Sequence, residues 1–296
     1  DHIRVVREAG GVSFDVISIG IESPFGSGMK NLPRTVRFEA ALYSWLVGNP
    51  DKYDVVHACD LDTGIVARAA QRKTGKPYVY DIFDFFCDSR IMPDWLKGFV
   101  KNWEFRVVED AKATIICTEQ RKVQLCGAYP KSLVVIENTP EEVEISGSPE
   151  RVGDAIKVAY VGVLTADRYL ERLIDAVDGH DDLFLDIGGF GPLSAEIEER
   201  AHCNPRIAFH GKVPYETALA LEKGADVMLG LYNPDVPNNR LAAPNKYYES
   251  LMLGTPLLTI KGTSVGDWVE AKETGYALES DFTPDELYRG AYDLAT

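Results

Sequence analysis

The sequence predicts an α/β fold made of two doubly wound parallel-sheet domains, and three observations predict it. At 296 residues the chain is past the size at which a single hydrophobic core usually keeps growing. Apolar runs of strand length alternate with helical patterns along its whole length, which is how parallel sheets with covering helices read. The alternation is interrupted once, by Asn138-Thr-Pro-Glu-Glu-Val-Glu-Ile-Ser-Gly-Ser-Pro-Glu150. That acidic segment with Pro, Gly and Ser reads as a linker between a domain of residues 1–145 and one of residues 151–296.

In the first half, strands are expected near 14–19, 53–58, 77–81, 113–117 and 133–136, with helical stretches near 35–48, 61–74, 92–110 and 118–126. Residues 2–11 read as a helix. In the second half, strands are expected near 156–162, 183–187, 207–210, 226–231 and 256–259, each followed by a helix, and Asp285 to Thr296 reads as one helix. Open α/β sheets bind ligands beyond the carboxyl ends of their strands, so the functional residues belong in the loops that follow strands.

Composition excludes several classes. The formal charge is −15, and it is uneven: residues 1–150 carry 18 basic against 22 acidic side chains, residues 151–296 carry 13 against 24. Such a surface lacks the basic footprint that nucleic acid requires. Apolar runs such as Ala113–Cys117 and Val227–Leu231 are strand length, far short of the ~20 residues of a membrane span. The five cysteines are scattered without a C-x-x-C pair, against a disulfide framework or a cysteine-type zinc site and in favour of a reducing, cytoplasmic compartment.

The segment Leu241-Ala-Ala-Pro-Asn-Lys-Tyr-Tyr-Glu-Ser-Leu-Met-Leu-Gly-Thr-Pro256 carries the most chemistry. Pro244 suits the first turn of a helix and Gly254 with Pro256 its end. Helical spacing puts Lys246 and Glu249 on one face near the N-terminus, where unpaired N–H groups and the dipole favour a diphosphate. There Lys246 adds a charge and Glu249 offers acceptors for a ribose diol. An ordinary amphipathic helix with a solvent-exposed Lys–Glu pair has the same spacing. A second segment, Ala159-Tyr-Val-Gly-Val-Leu-Thr-Ala-Asp-Arg168, is a strand running into Gly162, with Arg168 at the start of the next helix. A third, Leu183-Phe-Leu-Asp-Ile-Gly-Gly-Phe-Gly-Pro192, opens into a turn holding Gly189 and Gly191, and Ser194 breaks the dinucleotide fingerprint there.

These three segments together resemble the retaining GT-B glycosyltransferases of family four (group 1), with their P-x-K-x-x-E helix, G-x-P turn and G-x-G-P turn. The resemblance implies two Rossmann-like domains facing a cleft, with Gly162, Gly189, Gly191, Asn245, Lys246 and Glu249 around a nucleotide-diphosphate sugar. Arg168, Lys246 and Glu249 would carry the chemistry, the two cations stabilising the departing diphosphate. The sequence departs from the pattern at Val163, where an Arg is usual, and at Leu241, where an acid is usual, with Asn238, Asn239 and Arg240 nearby. The family's architecture also implies a strand and Gly-rich loop ahead of residue 1 and a closing helix after Thr296.

In the first half, Tyr53-Asp-Val-Val-His-Ala-Cys-Asp-Leu-Asp62 and Pro77-Tyr-Val-Tyr-Asp-Ile-Phe-Asp84 resemble strand-and-loop segments of the family's acceptor domain. His57, Asp60 and Asp84 are its acceptor-side candidates, although Cys59 and Phe83 stand where histidines are frequent. Asp60-Leu-Asp62 is formally a D-x-D metal signature, but two aspartates opening a helix read as a cap. No metal or other cofactor is expected. The acceptor would be a sugar or a lipid-linked sugar. The alternatives from other classes are a non-catalytic nucleotide-sugar-binding module and a GT-B sugar epimerase.

Within residues 91–109, Trp95, Phe99 and Trp103 recur every four residues with Lys97, Lys101 and Arg106 off that stripe. The pattern fits either an interfacial helix, which would place the chain peripherally on a membrane, or a helix whose stripe packs on the sheet.

Overall fold

The computed structural model describes residues 2–9, 11–21, 31–90, 92–143, 145 and 155–296. The chain divides into two compact units, Asp1–Ile136 and Glu137–Thr296. Of the expected linker, residues 144 and 146–150 lie outside the described residues, as does Ile91.

The first unit opens with strands β1 (His2–Ala9) and β2 (Val12–Ile19), an antiparallel pair running from His2↔Ile19 to Ala9↔Val12. This corrects the helix expected over residues 2–11. The signal in the sequence is the Gly10-Gly11 pair, a dipeptide that suits a hairpin turn, and Gly11 takes φ +75°. Helix α1 (Leu32–Gly48) follows and packs on α2 (Asp60–Thr74). Strands β3 (Val56–Cys59), β4 (Tyr78–Ile82), β5 (Ala113–Ile116) and β6 (Leu133–Val135) form a parallel sheet in chain order. A short α3 (Phe86–Ser89) and the long α4 (Asp94–Asp110) connect β4 to β5. The helix expected at 118–126 is a 3-10 segment, Glu119–Leu125, capped by the Thr118 side chain.

Helix α4 is fixed to the sheet by polar contacts as well as apolar ones. Tyr78 Oη donates to the Val107 carbonyl at 2.5 Å and Tyr80 Oη to Glu104 Oε1 at 2.8 Å. Glu104, Val107 and Val108 form its buried face. The aromatic stripe lies elsewhere on the helix: Trp95, Phe99 and Trp103 are 77%, 58% and 44% exposed. The stripe therefore does not pack on the sheet.

The second unit is one six-stranded parallel sheet. Its elements in chain order are β7 (Ile156–Val163), α5 (Leu170–Gly179), β8 (Leu183–Phe190), α6 (Ser194–Cys203), β9 (Ile207–Gly211), α7 (Tyr215–Lys223) and β10 (Val227–Gly230). There follow α8 (Pro237–Leu241), α9 (Asn245–Leu253), β11 (Leu257–Ile260), α10 (Ser264–Ala271), β12 (Gly275–Leu278) and α11 (Pro284–Ala295). The spatial order β12-β11-β10-β7-β8-β9 places the chain's reversal of direction between β7 and β10. A crevice opens at such a switch point, outside the carboxyl ends of the two strands. Strand β12 lies beyond the sequence expectation, its four residues being too short to show a period. Val158, Leu185, Leu229 and Leu258 belong to the fully buried core of this sheet.

Candidate active site

Around the switch point of the second unit the structure gathers the residues that the sequence singles out. Strand β7 ends in Gly162-Val163, and the Tyr160 hydroxyl folds over this end, donating to the Val163 carbonyl at 2.8 Å. Arg168 lies in a 3-10 turn, Ala166–Arg168, rather than at the start of α5 as expected. Tyr169 in the left-handed conformation, φ 52°, separates the two elements. The Arg168 guanidinium donates through Nη1 to Asp167 Oδ2 at 2.9 Å and to Asn239 Oδ1 at 3.3 Å, and lies 4.7 Å from the Tyr232 ring centre. Asn239 is one of the polar residues read beside Leu241.

Gly189 and Gly191 explain why β8 needs glycine at its end. Gly189 has φ +145°, and a Cβ there would sit 1.8 Å from the Gly162 carbonyl oxygen; at Gly191, φ +159°, it would sit 2.3 Å from the Leu164 oxygen. The main chains of the two strand ends are in contact, so the loops that follow them meet without intervening side chains.

Pro244 is the residue just before helix α9, and Gly254 closes the helix with φ +66°. Asn245 opens it. Lys246 and Glu249 are each 8% exposed, which excludes the solvent-exposed Lys–Glu pair. Lys246 Nζ donates to Glu222 Oε1 of α7 at 2.6 Å and stands 5.6 Å from the Tyr160 ring centre. Burial alone would lower the Lys246 ammonium. The Glu222 carboxylate, with Tyr232 and Glu249, overrides that and keeps it above the usual lysine range. The Glu249 carboxyl is pushed up, first by burial and then by Glu222. Tyr215 hydrogen-bonds Glu249, and its hydroxyl is pushed up to about 12 by burial and by that carboxylate.

The result is a buried polar cluster in which Tyr232 senses both cations, Lys246 and Arg168. Both cations carry local carboxylate partners, Lys246 with Glu222 and Arg168 with Asp167. Sequence reading missed Glu222, Tyr160, Tyr215 and Tyr232. Glu222 sits 24 positions before Lys246, on another helix, where no spacing rule reaches.

In the first unit, Asp60 takes φ 61° at the β3–α2 junction, and its Oδ1 accepts the backbone N–H groups of Phe83 at 3.0 Å and Asp84 at 3.2 Å. It thus fastens the loop after β3 to the loop after β4 and does not cap α2 as expected, since the residue at the helix's N-cap is Cys59 and no side chain caps it. Asp84 accepts from Nη2 of the buried Arg121 at 3.2 Å. His57 Nε2 lies 2.9 Å from Asp81 Oδ2. Among the described residues, His57, Cys59 and Asp81 form the one group whose side chains are arranged to hold a metal ion.

The glycosyl transferase 4-like domain family matches residues 4–139. Comparison with curated protein sequences finds no match. Among solved structures, Anabaena HepE in complex with UDP is 13% identical, over 90% of this chain and 77% of its own, with a TM-score of 0.61. Sucrose-phosphate synthase from Thermosynechococcus elongatus is 15% identical, over 98% and 75%, with a TM-score of 0.72. A TarM variant from S. aureus, in complex with fondaparinux, alpha-GlcNAc-glycerol and UDP, is 13% identical, over 86% and 52%, with a TM-score of 0.61. At these identities the likeness is one of fold. The chain has the GT-B fold of these structures, and its residues 4–139 match the glycosyl transferase 4-like domain family.

Proposed function

We propose that the chain is a retaining glycosyltransferase that moves a sugar from a nucleoside-diphosphate sugar, of UDP or GDP type, to an acceptor hydroxyl. The observation that carries this reading is the burial of Lys246 and Glu249 in the first turns of α9, with Lys246 over the Tyr160 ring of β7 and Arg168 over the Tyr232 ring that follows β10, at the sheet's switch point. The diphosphate would lie against Arg168, Lys246 and the amides of Gly162, Gly189, Gly191 and Asn245, with Glu249 accepting from the ribose hydroxyls. As the glycosidic bond breaks, negative charge grows on the diphosphate, and cations fixed in place by Asp167, Asn239 and Glu222 stabilise it without reorganising. The acceptor hydroxyl would attack from the same face, its proton passing to the leaving phosphate oxygen, so neither an enzymic nucleophile nor a metal is needed. The UDP bound by HepE supports the nucleotide class.

On the acceptor side the reading assigns His57, Asp60 and Asp84, and a sugar or lipid-linked sugar as acceptor in glycan or glycolipid synthesis. The exposed stripe of α4 supports a peripheral position on the cytoplasmic face of a membrane. No helix of the described residues is long and apolar enough to cross one. Two aromatic side chains entering the interface would have to outweigh the repulsion of a chain at −15. In liposome co-sedimentation at low salt the chain is expected in the pellet, and Trp95→Ala with Trp103→Ala is expected to release it. A wild-type chain wholly in the supernatant removes the membrane reading.

The nucleotide is tested by thermal shift against UDP, GDP and ADP and by hydrolysis or transfer from the matching donor sugars. One nucleoside diphosphate should raise the melting temperature, and Glu249→Ala should abolish the shift. An unaffected shift would overturn the site assignment. Val163, Leu241 and the local pairing of both cations favour a second reading, a non-catalytic nucleotide-sugar-binding module, which turnover with any acceptor excludes.

A further inference from the structure

We propose that the carboxyl ends of β3 and β4 form a binding site for a divalent d-block cation of the zinc type, held by His57, Cys59 and Asp81. The proposal is independent of the donor-site reading, since it concerns the other unit, and of the acceptor-side residues it uses His57 alone.

The topology itself assembles the three ligands. Side chains two apart on a strand share a face of the sheet, so His57 and Cys59 on β3 project together. In the parallel register Cys59 pairs with Asp81 of β4, which brings a carboxylate of the neighbouring strand onto the same face. The imidazole nitrogen, the thiol sulfur and the carboxylate oxygen all lie within 4.8 Å of one another. Bonds of about 2.0 to 2.3 Å from a tetrahedral zinc ion put its ligand atoms roughly 3.3 to 3.8 Å apart, a spacing that small side-chain rotations reach. The Asp81 carboxylate already meets His57 Nε2 at 2.9 Å, so two of the three ligands are in register with each other.

The chemical mixture selects the ion. One imidazole, one thiolate and one carboxylate suit zinc, cobalt or cadmium, while magnesium and calcium prefer oxygen alone. Three protein ligands leave the fourth position open, and the site has access to it: the His57 side chain is 56% exposed and that of Asp81 17%. An open coordination position binds water or an oxygen-bearing ligand. Asp60, although adjacent to Cys59, lies outside this group, and its Oδ1 accepts the Phe83 and Asp84 amides.

The test uses cobalt as an optical surrogate and zinc as competitor, with the full chain in a Cys126→Ser, Cys203→Ser background that removes the two exposed cysteines. One equivalent of cobalt should give a thiolate-to-metal charge-transfer band that zinc displaces. Cys59→Ser should abolish the band, and Asp81→Asn should weaken cobalt binding by roughly tenfold or more. Circular dichroism establishes that each variant is folded. As a second readout independent of the variants, zinc should slow alkylation of Cys59 by iodoacetamide, while magnesium should not. A folded chain with no charge-transfer band, a band that survives Cys59→Ser, or alkylation of Cys59 indifferent to zinc would each overturn the proposal.

Discussion

Lys246 and Glu222 carry the sharpest consequence at the scale of single residues. Glu222 is 1% exposed and its second oxygen, Oε2, is buried without a hydrogen-bond partner. Removing the lysine leaves a carboxylate alone in the interior, and breaking a buried pair from one side costs about 3 to 5 kcal/mol. Lys246→Ala should therefore destabilise the ligand-free chain by that amount in urea denaturation, and Glu222→Gln with Lys246→Met together should cost less than the two changes summed. A surface-like loss below about 1 kcal/mol would show that the pair is not buried in solution. The candidate site was legible where one helix or one turn carried it: Lys246 and Glu249 by spacing three, Gly189 and Gly191 by the strand-turn pattern. It was illegible where partners came from elsewhere in the chain. Glu222 reaches Lys246 from α7, and Asp81 reaches His57 across a strand pair, so neither contact leaves a local mark in the sequence.

Helices and strands make their own demands. On α4, the Glu104 carboxyl is fully buried and is raised from 4.5 to about 7, chiefly by burial, against the opposing hydrogen bond from Tyr80. Below about pH 4.5 it is protonated in folded and unfolded chains alike. As pH rises from there to about 7 the unfolded chain gives up the proton first, so stability falls through this window by about 3 kcal/mol and then levels. Urea midpoints at pH 5 and pH 8 should show that loss, and Glu104→Gln should flatten it. At the β8 terminus, Gly189→Ala forces a Cβ onto the Gly162 carbonyl and a side chain into a left-handed backbone. The cost expected is about 3 kcal/mol or more, readable as a lowered denaturation midpoint. Most elements were legible because their periods differ: α5 and α11 repeat at helical spacing, while β7 and β8 are short apolar runs. The hairpin of β1 and β2 was misread because arginines and a glutamate interleave its apolar residues, masking the period that Gly10-Gly11 punctuates.

For the whole molecule, the informative fact is that it holds separate hydrophobic cores. One cluster runs from Ile156 to Ala291 in the second unit, another from Ala58 to Leu125 in the first. Thermal unfolding is expected to deviate from two-state behaviour, with calorimetric and van't Hoff enthalpies unequal. The nucleoside diphosphate should act on the second unit alone. At a concentration of 100 times its Kd it adds about 2.7 kcal/mol to the unit that binds it, so one transition should move and the other stay. A single transition that shifts as a whole would mean that the units unfold together.

The exposed face of α4 also gives the protein an optical signature. The chain has four tryptophans. Trp95 and Trp103 stand in solvent on α4, whereas Trp45 lies near Tyr53, and Trp268 lies against Tyr247 and Tyr248. Intrinsic emission should therefore divide into a red-shifted, acrylamide-quenchable half from α4 and a shielded half from α1 and α10. Any surface that settles on α4 would turn the first half blue and leave the second as an internal standard, so occupancy of that face can be followed without a label.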